Sequence, residues 1–426
     1  MKVDRDGTLT KVSGSPFDTR QGFAVVVTPD ARNAYVSSLS GVITGYRIGD
    51  SGALTPIPGS EIDFGQPVLG LAVTPDGSRI FATTGRLRNR AGEVRSFSIT
   101  ASGALAPTGR PPTPLGTNSF MSLPALTPDG RHLIVSSFGG SKLYSFRIAP
   151  DAGLTPVGEP IDSGTGPVLP GITPDGRFLY TTNELGGNIS GYRIHPDGRL
   201  TETPGSPYET GALPHGVAVT PDSRRLYLPE AGGRKLLGFE IGDDGALTHL
   251  PGSPYAGPPV GMPGLVVLSP DSSKMFVIDV LTRSITAKVN TFTVAANGGL
   301  ASTGQPEADS GVLFSDGPAS VITPNQGPVA ALRAVNSSGS TRTFSAAAST
   351  DADGRVVKYH WDFGGGETVT TTRPEVTHTF TGTGAHTVTV TVTDDEGCST
   401  KLHYTGQTVV CNGGPRARAS LDISVS

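Results

Sequence analysis

Two short motifs recur along this chain at intervals of about 50 residues, the mark of repeat architectures in which each copy is one supersecondary unit. The first motif is Thr-Pro-Asp or a close variant, and its copies begin at Thr28, Thr74, Thr127, Thr173, Thr220, Ser269 and Thr323. The second is Gly-x-Leu-Thr or a close variant, with its leucine at positions 9, 54, 105, 154, 200, 247 and 300. Seven copies of each motif indicate a seven-unit array.

Each copy of the repeat predicts four short strands. An apolar first strand ends at the Thr-Pro-Asp turn, where proline presets the backbone and aspartate can bond back to it. A second strand follows at once, as in Leu179-Tyr180-Thr181, and the fourth contains the Leu-Thr pair. Repeated four-stranded antiparallel units form a β-propeller, so we predict an all-β chain with seven blades. The third strands carry central aromatic residues that we expect to pack between blades, namely Tyr46, Phe97, Phe146, Tyr192, Phe239 and Phe292.

The composition argues against several classes of function. The 426 residues include 58 Gly and 36 Pro, which favours turns over long helices. Charged residues make up 16% of the chain and the formal net charge is −4, so we expect no nucleic-acid partner. No apolar run reaches the length of about 18 residues that a spanning helix needs, so we expect no membrane span.

The closing blade is expected to be incomplete at the N-terminus. The sequence holds seven first strands, the last at Ala319 to Thr323, and seven fourth strands, but six second and six complete third strands. Met1-Lys2-Val3 resembles the stump of a third strand. Propellers close by sharing one blade between the chain ends, which removes an exposed sheet edge. We therefore expect the native chain to extend upstream. MKVDRDGTLT contains no signal peptide, so the secretory signal that we expect would lie in that upstream part.

The pattern changes after Asn325. The following segment is rich in Thr and Val, and His386 begins the alternating run HTVTVTVTD, in which one face packs and the other meets water. Trp361, the only tryptophan, is expected to anchor the core of a β-sandwich. We place the propeller at 1–325, the sandwich with a disulfide extension at 328–411, and a disordered or weakly paired tail at 412–426.

Four motifs characterise the second segment, and they are Asp351-x-Asp353-Gly354, Tyr359-x-Trp361-Asp362-Phe363-Gly364, His378-x-Phe380 and Val390-Thr391-Val392-Thr393-Asp394. With these motifs, residues 328–396 resemble the PKD (polycystic kidney disease) domain. The resemblance implies an immunoglobulin-like sandwich and an extracellular location. The family pattern WDFGDG reads WDFGGGE here, so Gly365 replaces an aspartate and Glu367 is the carboxylate that could substitute for it.

Cys398 and Cys411 are the only cysteines, and an even count beyond an extracellular-type domain predicts one disulfide. The alternative is two free thiols in a reducing compartment, and the absence of CxxC spacing argues against a metal site. Asp351 and Asp353, with Asn336, could bind Ca²⁺, although a hydrogen-bonded turn is the alternative interpretation. We expect no other cofactor.

The Thr-Pro-Asp-Gly turns are followed by tyrosine, most fully in TPDGRFLYTTNEL from Thr173 to Leu185. In these residues the chain resembles the lactonase-type (YVTN-like) seven-bladed propellers over nearly all of 1–325. That family includes bacterial lactonases acting on phosphogluconolactone and fungal muconate-cycloisomerising enzymes. The resemblance implies the fold but not the activity, because propellers host many unrelated functions.

Polar residues are predicted to meet at one mouth of the propeller channel. The loop before a first strand and the loop after a second strand share a face, which brings His215 near the ends of the neighbouring second strands. A carboxylate, an imidazole and guanidinium groups suit lactone opening, in which a base activates water and cations hold the oxyanion. The candidate catalytic residues are Glu184, His215 and Glu230, and the candidate substrate-binding residues are Asn183, Arg86, Arg88 and Arg283.

Part of the family's catalytic motif is missing. Where the lactonase pattern has Pro-Arg-His, this chain reads Gly166-Pro167-Val168-Leu169-Pro170, and only Asn183 and Glu184 carry over. The preferred hypothesis is a secreted, monomeric module of the cell envelope or exterior that binds a glycan, an envelope polymer or a protein. The alternatives are a secreted lactone hydrolase of the 6-phosphogluconolactonase type and a purely structural envelope component.

Overall fold

The computed structural model describes residues 1–4, 6–19, 22–85, 91–259, 261–281, 286–313 and 321–425. The chain forms two compact units. The first contains Met1–Thr323 together with Tyr404–Val409, and the second contains Pro324–His403 and Val410–Ser426. We predicted a sandwich with a disulfide extension at 328–411. Within that range, the short segment Tyr404–Val409 belongs to the propeller unit.

The strands of the propeller unit follow the sequence repeat. The N-terminal pair is β1 (Lys2–Val3) and β2 (Leu9–Thr10). Blade 1 is β3 (Gly22–Val27), β4 (Asn33–Ser38), β5 (Val42–Ile48), β6 (Leu54–Pro56) and β7 (Ile62–Asp63). Blade 2 is β8 (Val68–Val73), β9 (Arg79–Gly85), β10 (Gly92–Ile99), β11 (Leu105–Pro107) and β12 (Thr113–Pro114). Blade 3 is β13 (Ser122–Leu126), β14 (His132–Ser137), β15 (Lys142–Ile148), β16 (Leu154–Pro156) and β17 (Ile161–Asp162).

The next three blades repeat this order. Blade 4 is β18 (Pro167–Ile172), β19 (Phe178–Asn183), β20 (Asn188–Ile194), β21 (Leu200–Glu202) and β22 (Tyr208–Glu209). Blade 5 is β23 (Ala218–Val219), β24 (Arg225–Glu230), β25 (Lys235–Ile241), β26 (Leu247–His249) and β27 (Tyr255–Ala256). Blade 6 is β28 (Met262–Leu268), β29 (Lys274–Leu281), β30 (Thr286–Val294), β31 (Leu300–Ser302) and β32 (Ala308–Leu313).

Each of these blades is an antiparallel sheet in which the strands pair in chain order, as the sequence predicts. The predicted fourth strand is split in two. In blade 3, β16 pairs with Phe146–Ile148 of β15, and β17 pairs with Lys142 and Leu143 of the same strand. The sequence pattern showed only the Leu-Thr half, because the second half spans two residues. The third-strand aromatics are all buried, as predicted.

The Thr-Pro-Asp motif builds the same turn in every described blade. In blade 4 the hydroxyl of Thr173 donates to Oδ1 of Asp175 over 2.6 Å, and the same oxygen accepts the N–H of Arg177. Asp30, Asp76, Asp129, Asp222 and Asp271 repeat both bonds with their own neighbours. These aspartates are therefore turn formers, as the sequence predicts.

The second repeated motif explains how neighbouring blades are joined. Tyr180, in the second strand of blade 4, donates its buried hydroxyl to the carbonyl oxygen of Gly245 in blade 5 over 2.7 Å. This glycine belongs to the Gly-x-Leu motif of the next repeat. Equivalent bonds join Tyr35 to Gly103 and Tyr227 to Gly298. Each of these bonds thus joins the second-strand tyrosine of one blade to the Gly-x-Leu motif of the next.

The N-terminal segment occupies the place of a blade between blades 6 and 1. Thr291 of blade 6 donates its hydroxyl to Gly7 over 2.9 Å, and Tyr46 of blade 1 donates to the carbonyl of Asp18 over 2.8 Å. The same two contact types join complete blades elsewhere, as in Ser145 to Gly198 and Tyr192 to Asp162. The sequence-predicted first strand of this blade, at 319–323, lies partly outside the described residues.

The second unit is a β-sandwich. One sheet is β34 (Arg333–Ser338), β35 (Thr341–Ser345) and β38 (Glu375–Thr379), and the other has the order β37 (Thr368–Thr371), β36 (Val356–Asp362), β39 (Gly384–Asp394) and β42 (Arg418–Val425). A third small sheet contains β33 (Asn325–Gln326), β41 (Val409–Asn412) and β40 (Leu402–Tyr404). A 3₁₀ helix spans Pro415–Ala417. Among the described residues, no helix is long and apolar enough to cross a membrane.

The sandwich core confirms the predicted anchor. Trp361 is fully buried and donates its indole N–H to the hydroxyl of Thr371 over 3.1 Å. Cys398 and Cys411 form a disulfide. The expected tail at 412–426 is different in the structure, because Arg418–Val425 forms β42 and pairs along β39 from Gly384 to Thr391. The alternation of ASLDISV, with Leu421 and Ile423 packed on the core, is the sequence signal that points to this strand.

Candidate functional site at the propeller mouth

The candidate site lies where blades 4 and 5 meet. Glu184 directly follows β19, and its backbone N–H donates to the carbonyl of Gly166 over 2.9 Å. His215 precedes β23, and its backbone N–H donates to the carbonyl of Pro229 over 3.3 Å. Both residues are thus held on the face where second strands end and first strands begin.

The structure brings Glu184 and His215 together. Oε2 of Glu184 lies 3.3 Å from Nδ1 of His215. The His215 side chain is 9% exposed and that of Glu184 is 23% exposed, so the pair is largely removed from water. Nε2 of His215 is buried and has no hydrogen-bond partner among the described residues. The carboxylate therefore contacts the ring through Nδ1, while Nε2 has no protein partner in the described part of the chain.

The backbone around His215 is tightly constrained. Thr182 lies two residues before Glu184, in the last part of β19. Its hydroxyl oxygen accepts the N–H of Gly216 over 2.9 Å. Gly216 has a φ of +78°, and a Cβ at this position would lie 3.1 Å from Leu169 Cδ1. The strand that supplies Glu184 thus also fixes the peptide unit that follows His215.

An apolar cluster combines buried residues of blades 3, 4 and 6. Its buried members are Leu123, Val168, Leu169, Leu265, Ile278 and Ala287. Leu169 and Leu265 are the nearest neighbours that a side chain at position 216 would meet, so the dyad lies beside this cluster.

Asn183 is fully buried, and its amide is used within the fold. Nδ2 donates to Asn188 Oδ1 over 2.7 Å and to Ser190 Oγ over 2.9 Å, while Oδ1 accepts the hydroxyl of Ser163 over 3.2 Å. These bonds tie the turn after β19 to blade 4 and to the segment that precedes it. The substrate-binding role expected for Asn183 stays a prediction, and the geometry gives this side chain a structural task.

Glu230 also points into its own turn. It is 4% exposed, and Oε1 accepts the N–H of Gly233 over 2.7 Å. The structure therefore pairs His215 with Glu184 and uses Glu230 to cap the turn between β24 and β25. The remaining candidates, Arg86, Arg88 and Arg283, lie outside the described residues.

Asp279 is a buried carboxyl group that the sequence analysis did not single out. Asn290 Nδ2 donates to its Oδ2 over 3.2 Å, and Oδ1 has no partner among the described residues. Burial, reinforced by the negative charge of Glu307, raises the pKa of Asp279 to about 7. Aligning the repeats on Tyr180, Tyr227 and Phe276 places Asp279 level with Asn183 and Glu230, so the repeat register could have identified it.

The residues predicted as possible Ca²⁺ ligands, Asp351, Asp353 and Asn336, have different surroundings. Both carboxylate oxygens of Asp351 are buried without a hydrogen-bond partner among the described residues. Burial and the negative charges of Asp394 and Asp353 raise the pKa of Asp351 to about 6. Asp353 accepts the backbone N–H of Gln326, and Asn336 lies in the exposed strand β34. No group of three or more metal-binding side chains occurs in the described part of the chain.

Comparison with known families identifies both units. Residues 125–306 match the family described as lactonase, 7-bladed beta-propeller, and residues 325–409 match the PKD domain. The chain joins a lactonase-type propeller to a PKD domain. Among curated proteins, no sequence matches this chain.

Solved structures show the same propeller fold. A candidate 6-phosphogluconolactonase of Bacteroides uniformis has a TM-score of 0.59 and 17% identity, covering 74% of this chain and 91% of its own. The periplasmic gluconolactonase of Pseudomonas aeruginosa has a TM-score of 0.56 and 19% identity, covering 71% of this chain and 89% of its own. A protein of unknown function from Desulfotomaculum acetoxidans has a TM-score of 0.54 and 16% identity, with coverages of 71% and 89%. At this identity the lactonase-type propeller shares a fold with them.

Proposed function

We propose that the mouth of the lactonase-type propeller hydrolyses a small lactone, with His215 as general base and Glu184 as the residue that orients it. The contact of 3.3 Å between Glu184 Oε2 and His215 Nδ1 carries this proposal. A carboxylate on one imidazole nitrogen fixes the ring and stabilises its protonated form, as catalysis by the other nitrogen requires.

Water is the second reactant, and the His215 imidazole accounts for both proton transfers. Nε2 of His215 accepts a proton from water while the water oxygen adds to the lactone carbonyl. The tetrahedral intermediate then collapses with cleavage of the ring C–O bond, and the imidazolium returns the proton to the leaving ring oxygen. The product is a hydroxy acid. Water is consumed and the catalyst is regenerated.

Binding without chemistry is the second candidate, because the PKD domain and the Cys398–Cys411 disulfide favour an extracellular location. In that case the propeller mouth recognises a glycan, envelope polymer or protein as a secreted monomer. The loss of the Arg and His expected within Gly166–Pro170 also favours this candidate.

Hydrolysis of a panel of sugar and aliphatic lactones, measured above the spontaneous rate in a pH-stat, distinguishes the two. Glu184→Gln keeps the shape of the side chain and removes its charge, and we expect it to lower kcat by about 10²-fold. Glu202→Gln, at an exposed residue of β21, is the matched control and is expected to leave kcat unchanged. Turnover that is absent, or insensitive to Glu184→Gln, would contradict the hydrolase and leave the binding module.

A further inference from the structure

The segment Tyr404–Val409 is buried in the propeller unit although it follows most of the PKD domain in sequence. Tyr404 and Val409 are fully buried, and Thr408 is 4% exposed. The segment forms a tight turn, in which the N–H of Thr405 donates to the carbonyl of Thr408 over 3.0 Å. A polar turn of this kind needs partners for its remaining backbone groups when it is taken out of water.

Those partners are the ends of the first strands. The N–H groups of Val73, Leu126 and Ile172 donate to the carbonyls of Gln407, Gly406 and Thr405, over 2.9, 2.7 and 3.4 Å. The first strands of successive blades contact one another, so they line the propeller axis. In each blade sheet the first strand is at the edge and pairs only with the second strand. The turn thus satisfies edge groups that the blades leave open.

Side chains of the segment extend these contacts to four blades. Nε2 of Gln407 donates to the carbonyl of Pro124 over 3.1 Å and to that of Pro170 over 2.7 Å. The Thr408 hydroxyl donates to the carbonyl of Val27 over 2.8 Å, and the Tyr404 hydroxyl donates to that of Val73 over 2.5 Å. One amide side chain therefore bridges blades 3 and 4, while the two hydroxyls reach blades 1 and 2.

We propose that this end of the channel is a peptide-binding site, and that the chain's own Tyr404–Val409 segment is its resident ligand. The site recognises a tight turn through backbone N–H groups on three strands and selects glutamine through two carbonyl acceptors. It lies at the ends of the first strands that adjoin the Thr-Pro-Asp turns, whereas His215 precedes a first strand, so the two sites are at opposite ends of the channel. The Cys398–Cys411 disulfide closes the loop that carries the turn, which restricts the conformations of the unbound segment.

Hydrogen exchange of the full chain tests the proposal directly, because the bound turn protects the amides of Val73, Leu126 and Ile172. Gly406 has a φ of +106° and a Cβ there would lie 3.1 Å from Ala125 Cβ, so Gly406→Val should displace the turn. Gly384→Val is the matched control, since Gly384 has a φ of +119° and open space around its Cβ position. We expect at least tenfold faster exchange at the three amides in Gly406→Val alone, with blade 6 peptides around Met275 unchanged. Unchanged exchange at all three amides would overturn the proposal.

A synthetic, disulfide-closed peptide of residues 398–411 tests recognition itself. Added to the Gly406→Val protein, it should restore protection at Val73, Leu126 and Ile172 in a concentration-dependent way. The same peptide with Gln407→Ala should need at least ten times the concentration. Failure of the native peptide to restore protection would contradict a peptide site. If Gly406→Val does not fold, the full-length Gln407→Ala protein is used for both measurements. Neither measurement depends on lactone hydrolysis.

Discussion

Nδ1 of His215 lies 3.3 Å from Oε2 of Glu184, although the two residues are 31 positions apart in the chain. Their approach follows from the register of the repeat. Glu184 leaves the second strand of blade 4 on the face where the chain approaches the first strand of blade 5. The hydroxyl oxygen of Thr182, two residues earlier, accepts the N–H of Gly216 and so holds the backbone that follows His215.

Thr182 is expected to be a positioning residue for His215. Thr182→Val keeps the shape of the side chain but leaves the N–H of Gly216 without its acceptor, which should lower kcat for lactone hydrolysis about tenfold. Thr182→Ser retains the hydroxyl and should restore most of the loss. A Thr182→Ser protein as impaired as Thr182→Val would show that packing, and not the hydrogen bond, matters at this position.

The PKD domain should become less stable as pH rises from about 4 to 6. The pKa of Asp351 in the fold is about 6, above its usual value of about 3.9, so the fold disfavours the charged form. The penalty is absent at low pH, where Asp351 is protonated in both states, and complete above the folded pKa. Asp351→Asn should therefore raise the free energy of unfolding at pH 8 by about 1 kcal/mol, discounted for solvent screening, and change little at pH 3.5.

Fluorescence of Trp361 reports this transition selectively, since it is the only tryptophan and lies in the PKD domain core. Glu375→Gln removes a charge from an exposed site in the same domain and serves as the control. An equal gain in the free energy of unfolding from both substitutions would contradict the assignment of the pH dependence to Asp351. So would a gain from Asp351→Asn that does not change with pH.

Asp279 should make the stability of the propeller fall as pH rises, as Asp351 does for the PKD domain, but up to a higher pH. Its pKa of about 7 exceeds the usual value, so stability contributed by the neutral form is lost as pH rises from about 4 through 7. The total loss in the free energy of unfolding is up to about 4 kcal/mol. Chemical denaturation followed by tyrosine fluorescence at pH 4 and pH 8 should show this slope, and Asp279→Asn should remove most of it. Asp243→Asn, at an exposed residue, should leave the slope unchanged.

The inter-blade bond of Tyr180 should contribute measurably to stability. Tyr180→Phe leaves the carbonyl of Gly245 without its donor, with an expected cost of about 1–3 kcal/mol. Tyr255→Phe is the control, because that hydroxyl bonds to Pro251 only four residues away and at an exposed position. Urea denaturation of both variants measures the difference. Equal losses in the free energy of unfolding would show that the bond between blades stabilises the fold no more than the local bond of Tyr255.

Local, repeated features were predictable from sequence, whereas contacts between distant segments were not. The turn bonds of Asp175 span two residues, and the repeat displays the same chemistry in each blade. The bond from Tyr404 to Val73 joins residues 331 positions apart, and no local sequence pattern predicts it. Asn183 is a third case. Its motif could be recognised in the sequence, but the hydrogen bonds of its amide could not be predicted, because they depend on where Asn188, Ser190 and Ser163 lie in the fold.

Chemical rescue tests the proposed role of His215 most directly. His215→Ala should abolish lactone hydrolysis above the spontaneous rate, and His195→Ala, which alters a histidine bonded to Thr201 beside its own turn, should have no effect. Because the substitution removes an imidazole from a largely buried position, added imidazole should restore hydrolysis in His215→Ala with saturation kinetics. Hydrolysis that persists in His215→Ala without imidazole would contradict the account.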